Sequence, residues 1–282
     1  MKKLKLLSII ALLVVVLAAC GSKNDEGTNN AANGGSGGED AKTYVIASDA
    51  SYAPMEYMDK EDLVGFDIDF LKAVMEEAGL KYEVKNVAWE TMLGSVQQGK
   101  DYDGAISAVT ITDKRQETYD FTLPYFESTN MILVKEGSGI KSAQDLKDKT
   151  VAVQISTTAD EIMTGIMGNG NTKLKRFESN TLAFMDMDQG GADAVVADIA
   201  IVQEYLKNNP DKKYESVTDA SFASEYYGIL LPKDSELKAK LDPAVKAVIE
   251  NGKYAEVYKT WFGDEPDTTN LLAELKKHEE AK

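Results

Sequence analysis

Gly65-Phe66-Asp67-Ile68-Asp69-Phe70-Leu71-Lys72-Ala73-Val74-Met75-Glu76-Glu77-Ala78-Gly79-Leu80 reads as a short strand running into an amphipathic helix. Phe70, Leu71, Val74, Met75 and Ala78 recur at helical spacing, and Gly79 stops the run. Upstream, Tyr44-Val45-Ile46-Ala47 reads as a buried strand. Downstream, Tyr82 to Val87 alternates as a strand and Glu90 to Gln98 is helical, ended by Gly99. Asp103 to Val109 is the next strand. Strand alternating with helix means an α/β fold with mostly parallel sheet.

The second half repeats this grammar. Ser142-Ala143-Gln144-Asp145 has the form of a helix cap. Val151 to Gln154 is a strand and Asp160 to Met167 a helix; Asn180 caps a further helix running to Gln189. Gly190-Gly191 stops it, and Ala192 to Ala197 is a strand. Gln97 to Ala105 and Asp188 to Val195 echo each other as helix, glycine stop, acid and short strand. Open α/β sheets bind ligands at the carboxyl ends of their strands, so two such units facing each other make a cleft. Two ordinary helix-strand units give the same echo by coincidence.

Composition narrows the function. Over 282 residues the formal charge is −16, from 31 basic and 47 acidic side chains. That argues against nucleic acid, which needs a basic face to displace counterions from phosphates. One cysteine, Cys20, excludes an internal disulfide, and one histidine, His278, excludes a Ser-His-Asp triad or a histidine-rich metal site within the body. No metal and no cofactor is expected.

The first 41 residues are an address and a tether. Met1-Lys2-Lys3-Leu4-Lys5 is basic, and Leu6 to Ala19 is an apolar run too short to span a bilayer, which needs about 20 residues. Residues 1–19 therefore read as a signal peptide. The run ends Leu17-Ala18-Ala19-Cys20-Gly21. This resembles the lipobox of bacterial lipoproteins, which implies diacylglycerol on Cys20 and cleavage before it; a free cysteine at the end of an ordinary signal peptide is the alternative. Cleavage removes Lys2, Lys3 and Lys5 and takes the formal charge from −16 to −19. Ser22 to Ala41, rich in Gly, Asn and Ser, builds no core and as a coil reaches roughly 25 Å. The expected location is the outer face of the cell membrane, held by lipid.

Four stretches carry a family resemblance. Val64-Gly65-Phe66-Asp67-Ile68-Asp69-Phe70 resembles the G-F-D-x-D signature of the polar amino-acid-binding proteins of ABC importers (extracytoplasmic solute-binding proteins, family 3). Thr110-Ile111-Thr112-Asp113-Lys114-Arg115 resembles their T-x-T-x-x-R loop, and Ala192 to Asp198 their second-lobe strand. Tyr258-Lys259-Thr260-Trp261-Phe262-Gly263 resembles the closing motif. The matches fall in the family's order over about 44–263. The resemblance implies a type II periplasmic-binding-protein fold of two α/β lobes, each a mixed, mostly parallel sheet flanked by helices. Lobe 1 is expected at 42–127 and 226–266, lobe 2 at 128–225, and a charged tail at 267–282. Hinges are expected near Glu127-Ser128-Thr129 and Ser224-Glu225. The implied partners are a free amino acid, the permease subunits of an ABC transporter, and the membrane through the lipid on Cys20.

A buried amino acid needs partners for its carboxylate and its ammonium. In similar proteins an arginine at the place of Arg115 grips the carboxylate with two parallel hydrogen bonds, and Thr110 adds a donor; the alternative is a surface arginine in a charged turn. Thr157 and Thr158 open a helix whose free amides suit a carboxylate, or merely cap it. The family often reads G-T-T-G where this chain has Ser156-Thr157-Thr158-Ala159, which puts the backbone approach in doubt. Asp198 accepts from the ammonium in this scheme, or caps the helix from Ile199. Ser107 and Ala108 complete the ammonium shell. Tyr52 and Trp89 match the aromatic pair that sandwiches the ligand side chain, with core packing the alternative for Trp89. Asp49 meets a cationic or amide group, or caps its loop, and Gln154 reads a polar end. A polar or basic ligand is expected. Two competing readings are a cyclic amino-acid dehydratase, with Glu56 or Asp49 as its acid, and a ligand-sensing partner of a membrane receptor.

Overall fold

The computed structural model describes residues 42–280. The signal peptide, Cys20 and the tether expected over residues 1–41 lie outside the described residues.

The chain begins with β1 (Thr43–Ser48) and a three-stranded flap of β2 (Ser51–Tyr52), β3 (Glu56–Asp59) and β4 (Asp62–Val64). Next come α1 (Phe66–Glu77), β5 (Lys81–Asn86), α2 (Trp89–Gln98) and β6 (Gly104–Ala105). A short α3 (Asp113–Gln116) precedes β7 (Tyr119–Phe121), β8 (Phe126–Ser128) and β9 (Asn130–Lys135). After a 3-10 turn at Ala143–Leu146 follow β10 (Val151–Gln154), α4 (Thr158–Met167), β11 (Leu174–Phe177) and α5 (Asn180–Asp188). Then come β12 (Ala194–Asp198), α6 (Ile199–Asn208), β13 (Tyr214–Val217), β14 (Glu225–Tyr227) and β15 (Leu230–Pro232). Helices α7 (Leu237–Glu250), α8 (Lys253–Phe262) and α9 (Thr269–Glu280) close the chain.

Two five-stranded sheets result, ordered β5-β1-β6-β15-β7 and β11-β10-β12-β9-β13. Each has two parallel pairings followed by two antiparallel ones. The echo between halves thus puts β6 and β12 at the same third position. Strand β15 returns from far along the chain to lie between β6 and β7. Strands β8 and β14 pair antiparallel with each other and belong to neither large sheet, so both chain passages between the sheets run through this ribbon.

Helix α1 shows why the opening stretch decides the first half. Phe66, Phe70, Leu71, Val74 and Met75 are all fully buried, each stabilising the fold by roughly 1.5–3 kcal/mol. Phe70 stacks on Tyr125 at 4.7 Å, and Phe66 meets Tyr254, Tyr258 and Phe262 of α8. The two acids of the motif have separate tasks. Asp69 Oδ2 accepts from Trp261 Nε1 at 2.8 Å, tying α1 to α8, while Asp67 is wholly buried and points to the site described below. Gly65 cannot carry a side chain. Its φ is +141°, and a Cβ there falls 2.0 Å from the Met55 carbonyl oxygen.

Several boundaries differ from the sequence expectation. The strand expected over 103–109 keeps ladder geometry only at Gly104–Ala105. Beyond it, buried carboxyls take the Ser107 hydroxyl and the Ala108 amide, and Ala108 turns to φ +46°. Helix α4 starts at Thr158, capped by Thr157. Ser179, not Asn180, caps α5, so the Asn180 side chain is free for another partner. Within the expected tail, residues 269–280 form α9, because Leu271 and Leu275, four apart, share one face and are both 2% exposed.

Candidate ligand-binding site

Four strand ends converge: the loop after β1 carries Asp49, the loop after β6 carries Ser107 and Ala108, β10 ends in Gln154, and β12 ends in Asp198. The first-half loop is fixed from beneath. Ser107 Oγ donates to Glu56 Oε1 at 2.5 Å and accepts from the Asp49 amide at 3.0 Å. Asp67 accepts from the Ala108 amide at 2.7 Å and from the Tyr125 hydroxyl at 2.9 Å. Burial pushes the Asp67 carboxyl up to about 7, against those hydrogen bonds. Glu56 is raised well above the carboxylate range, by burial first and by the Asp67 charge second. Two adjacent buried carboxyls cannot both ionise cheaply, so this pair holds a proton beneath the loop.

Arg115 sits at the start of α3, where Thr112 caps its amide at 3.2 Å. Its guanidinium donates to the Thr110 carbonyl at 2.9 Å and across the cleft to the Ser156 carbonyl at 3.1 Å. It lies 5.6 Å from the Trp89 ring centroid, within cation–π range. Thr110 Oγ1 and Thr158 Oγ1 both donate to Glu225 Oε2, at 2.7 and 2.9 Å. Asn130 donates to the other Glu225 oxygen at 2.6 Å. Glu225 therefore clasps a first-half loop, a second-half helix start and the connecting ribbon at one point. Burial, then the Asp198 charge, pushes its carboxyl up to about 7, with the hydroxyls of Thr110 and Thr158 and the Arg115 charge opposing.

Asp198 follows Ala197 at the end of β12 and makes no side-chain cap bond to α6. It accepts instead from the Tyr52 hydroxyl at 2.8 Å and from the Tyr227 hydroxyl. Burial raises its pKa, with these two hydrogen bonds opposing. Asp49 accepts from Ser51 Oγ at 3.0 Å and from Gln154 Nε2 at 3.2 Å. Its pKa too is raised by burial.

The structure brings most of the expected residues together in pairs that cross the cleft: Tyr52 with Asp198, Asp49 with Gln154, and Thr110 with Thr158 through Glu225. Two residues also carry the alternative reading. Trp89 is 5% exposed and packed in the core beside Ala47 and Met92, although one contact is Arg115. The Thr157 hydroxyl is committed to the Gln154 carbonyl and to the Asp160 amide it caps. The sequence alone gives no site role to Asp67, Asn130 and Tyr227, and offers Asn180 only as a helix cap and Glu225 only as a hinge position. Asp67, Asn130 and Tyr227 adjoin apolar runs that signal burial, but only the fold shows that their polar groups face the site. Among the described residues no group of His, Cys, Asp and Glu side chains suited to a metal occurs, and no helix is long and apolar enough to cross a membrane.

Two sheets of matching strand order, joined by a ribbon and meeting through polar strand ends, define a two-lobed solute-binding protein. The chain belongs to the bacterial extracellular solute-binding proteins, family 3, which match it over residues 44–264. It is 37% identical to the "Probable histidine-binding protein" of Neisseria gonorrhoeae, over 91% of this chain and 94% of that one. It is 31% identical to the ABC transporter glutamine-binding protein GlnH of Bacillus subtilis (strain 168), over 94% and 99%. Among solved structures it resembles the arginine-, lysine-, histidine-binding protein ArtJ of Geobacillus stearothermophilus. There the TM-score is 0.80 at 51% identity, over 82% of this chain and 100% of that one. The family is one of extracellular solute-binding proteins.

Proposed function

We propose that this protein captures a free basic amino acid between its lobes and delivers it to the permease of an ABC importer. The observation that carries the reading is a charge imbalance. Asp198 and Glu225 act on each other with the guanidinium of Arg115 beside them, and Asp49 meets Gln154 across the cleft. A zwitterion with a cationic side chain supplies one carboxylate and two cations, which matches that surplus of acceptors. Arg115 takes the α-carboxylate, helped by Thr110 and by the α4 start at Thr157 and Thr158. Asp198 takes the ammonium with Ser107 and Ala108. Asp49 and Gln154 meet the side chain, between Tyr52 and Trp89. The names of the relatives that bind histidine, or arginine, lysine and histidine, support the same ligand class, and the glutamine-binding relative supports a polar side chain only.

The lobes in this reading are 42–127 with 226–266, and 128–225, hinged at the β8–β14 ribbon. Residues 1–19 are the signal peptide and Cys20 carries the lipid that holds the protein at the outer face of the membrane. Mass spectrometry of the native N-terminus then finds a lipid on Cys20; an unmodified N-terminus at another residue overturns the anchor. Of the two candidate acids of the dehydratase reading, Glu56 is 0% exposed and held under Ser107, which leaves Asp49 alone.

Calorimetric titration with arginine, lysine, histidine, glutamine and glutamate tests the ligand class. The basic amino acids are expected to bind and glutamate not. Binding of glutamate in preference to the others, or of none of the five, refutes the proposal.

A further inference from the structure

The far end of the site carries an acceptor with nothing to accept. Gln154 Nε2 donates to Asp49 Oδ2 at 3.2 Å and to the Glu178 carbonyl at 3.0 Å. Asn180 Nδ2 donates to Gln154 Oε1 at 2.8 Å. An amide end is usually ambiguous, but here the chain of bonds fixes it. A carboxylate and a backbone carbonyl only accept, so Gln154 must turn its nitrogen to them. Its oxygen then faces Asn180, which must turn its own nitrogen to Gln154. The Asn180 oxygen is thereby left over, with the side chain 2% exposed and no partner for that atom. Because Ser179 caps α5, helix capping does not use the Asn180 side chain either.

Asn180 also lines a cavity of about 350 Å³, together with Ala50, Ser51, Tyr57, Phe184 and Tyr205. Ala50 and Ser51 directly follow Asp49, so this cavity lies at the Asn180 end of the Asp49–Gln154–Asn180 chain, next to Asp49 and Gln154 but not lined by them. A buried acceptor left unpaired destabilises the protein, and an incoming N–H removes that cost. We infer that Asn180 determines specificity: its side-chain oxygen accepts from a nitrogen at the distal end of the ligand's side chain. The inference rests on the amino-acid-binding reading and narrows it. The preferred ligands are those whose side chain ends in an N–H donor, and an apolar side chain of equal length is rejected because it leaves the oxygen unpaired.

The test uses the full chain, arginine and lysine as probes, and norleucine as a lysine lacking its terminal nitrogen. Asn180→Ala is expected to weaken arginine and lysine about 10-fold or more, about 1.4 kcal/mol, and to shrink the lysine-over-norleucine preference in competition by a similar factor. Asn180→Asp keeps an acceptor and loses the donor to Gln154, so it is expected to bind arginine within about threefold of wild type or tighter. If Asn180→Ala changes arginine affinity less than about twofold, or if Asn180→Asp falls as far as Asn180→Ala, the residue only positions Gln154 and the inference is wrong. Unfolding curves of the unliganded variants show whether each folds; should Asn180→Ala not fold, the Asn180→Asp arm decides, a loss of arginine affinity of about tenfold or more, or a lost lysine-over-norleucine preference, overturning the inference. Wild-type protein that binds neither arginine nor lysine refutes the amino-acid reading itself, a separate outcome.

Discussion

The two sheets share one strand order, yet their site loops are held in opposite ways. In the first half the Ser107–Ala108 loop is bonded from beneath by Glu56 and Asp67 of the same half. In the second half site side chains are bonded across the cleft, Asp198 to Tyr52 and Gln154 to Asp49, and to the connecting ribbon, Thr158 to Glu225. One half has a preset floor; the other is completed in part within itself, at Gln154, and in part against its neighbour. Buried groups satisfied within their own half serve the fold, and groups satisfied across the cleft serve closure around a ligand. That division separates residues whose loss unfolds the protein from residues whose loss weakens binding.

The largest expected effect falls on the cleft. Arg115→Ala removes the guanidinium that stands near Asp198 and Glu225, and truncating one member of a buried charge pair costs roughly 2–5 kcal/mol. At about 1.4 kcal/mol per decade this weakens ligand binding about 30-fold to several thousand-fold. Arg115→Lys keeps the charge without the fork and falls in between. Unliganded stability, read from urea unfolding, is expected to change far less than affinity. Unchanged affinity on calorimetric titration of Arg115→Ala would remove Arg115 from the site.

The floor is expected to respond in reverse. Asp67→Ala strands the Ala108 amide and the Tyr125 hydroxyl, both buried, at about 1–3 kcal/mol for the groups left unpaired. The loss appears in unfolding of the ligand-free protein. If Asp67→Ala leaves stability intact and only weakens binding, the division between floor and cleft fails.

Glu225 belongs to both regions and so has a pH signature. Its folded carboxyl is pushed up to about 7 from an ordinary value near 4.5. The folded state thus holds the proton more tightly, and its stabilisation is complete below about 4.5 and lost as pH rises towards 7. Unliganded stability is expected to fall across that window by at most about 1.4 kcal/mol per pH unit for this group. Asp67, raised to about 7 as well, adds a fall of the same sign. Glu225→Gln keeps the size of the clasp without the titration and should flatten part of the slope. A wild-type slope that Glu225→Gln leaves unaltered would show that the Arg115 charge outweighs burial and the Asp198 charge, and that Glu225 titrates as an ordinary carboxylate.

The fold was legible because its signals are local. Apolar spacing in 65–80, the glycine stops at Gly79 and Gly99, and the strand-helix alternation each report a neighbourhood of a few residues. The return of β15 to lie between β6 and β7 is a long-range fact that no window of sequence contains. The site divides likewise. Asp198 and Gln154 stand at ends of strands that periodicity can place, whereas Arg115, in a charged turn, is singled out only by the family resemblance. Asn180 and Glu225 look like ordinary polar residues at a helix start and in a loop, and only pairing across the cleft reveals what their side chains face. The broken strand at Ser107–Ala108 hid for a related reason: its competitors, Glu56 and Asp67, lie 51 and 41 residues away.

The smallest expected effect sharpens the comparison most. Lys114 reaches across the cleft mouth to Glu161 at 2.6 Å, so by position alone it belongs with the closure contacts. Its side chain is 77% exposed and that of Glu161 is 49% exposed. Water and salt screen such a pair, and ordering two long side chains offsets much of the attraction. Lys114→Ala is therefore expected to change ligand affinity less than about threefold at physiological salt, and the difference should vanish in high salt. Its neighbour Arg115 crosses the same gap, but half-buried, over the Trp89 ring and near the buried Asp198 and Glu225, where screening is weaker. Titrating both variants at two salt concentrations separates the two factors. A tenfold or greater loss in Lys114→Ala that persists in high salt would mean that crossing the cleft is enough, and that burial does not select which contacts close it.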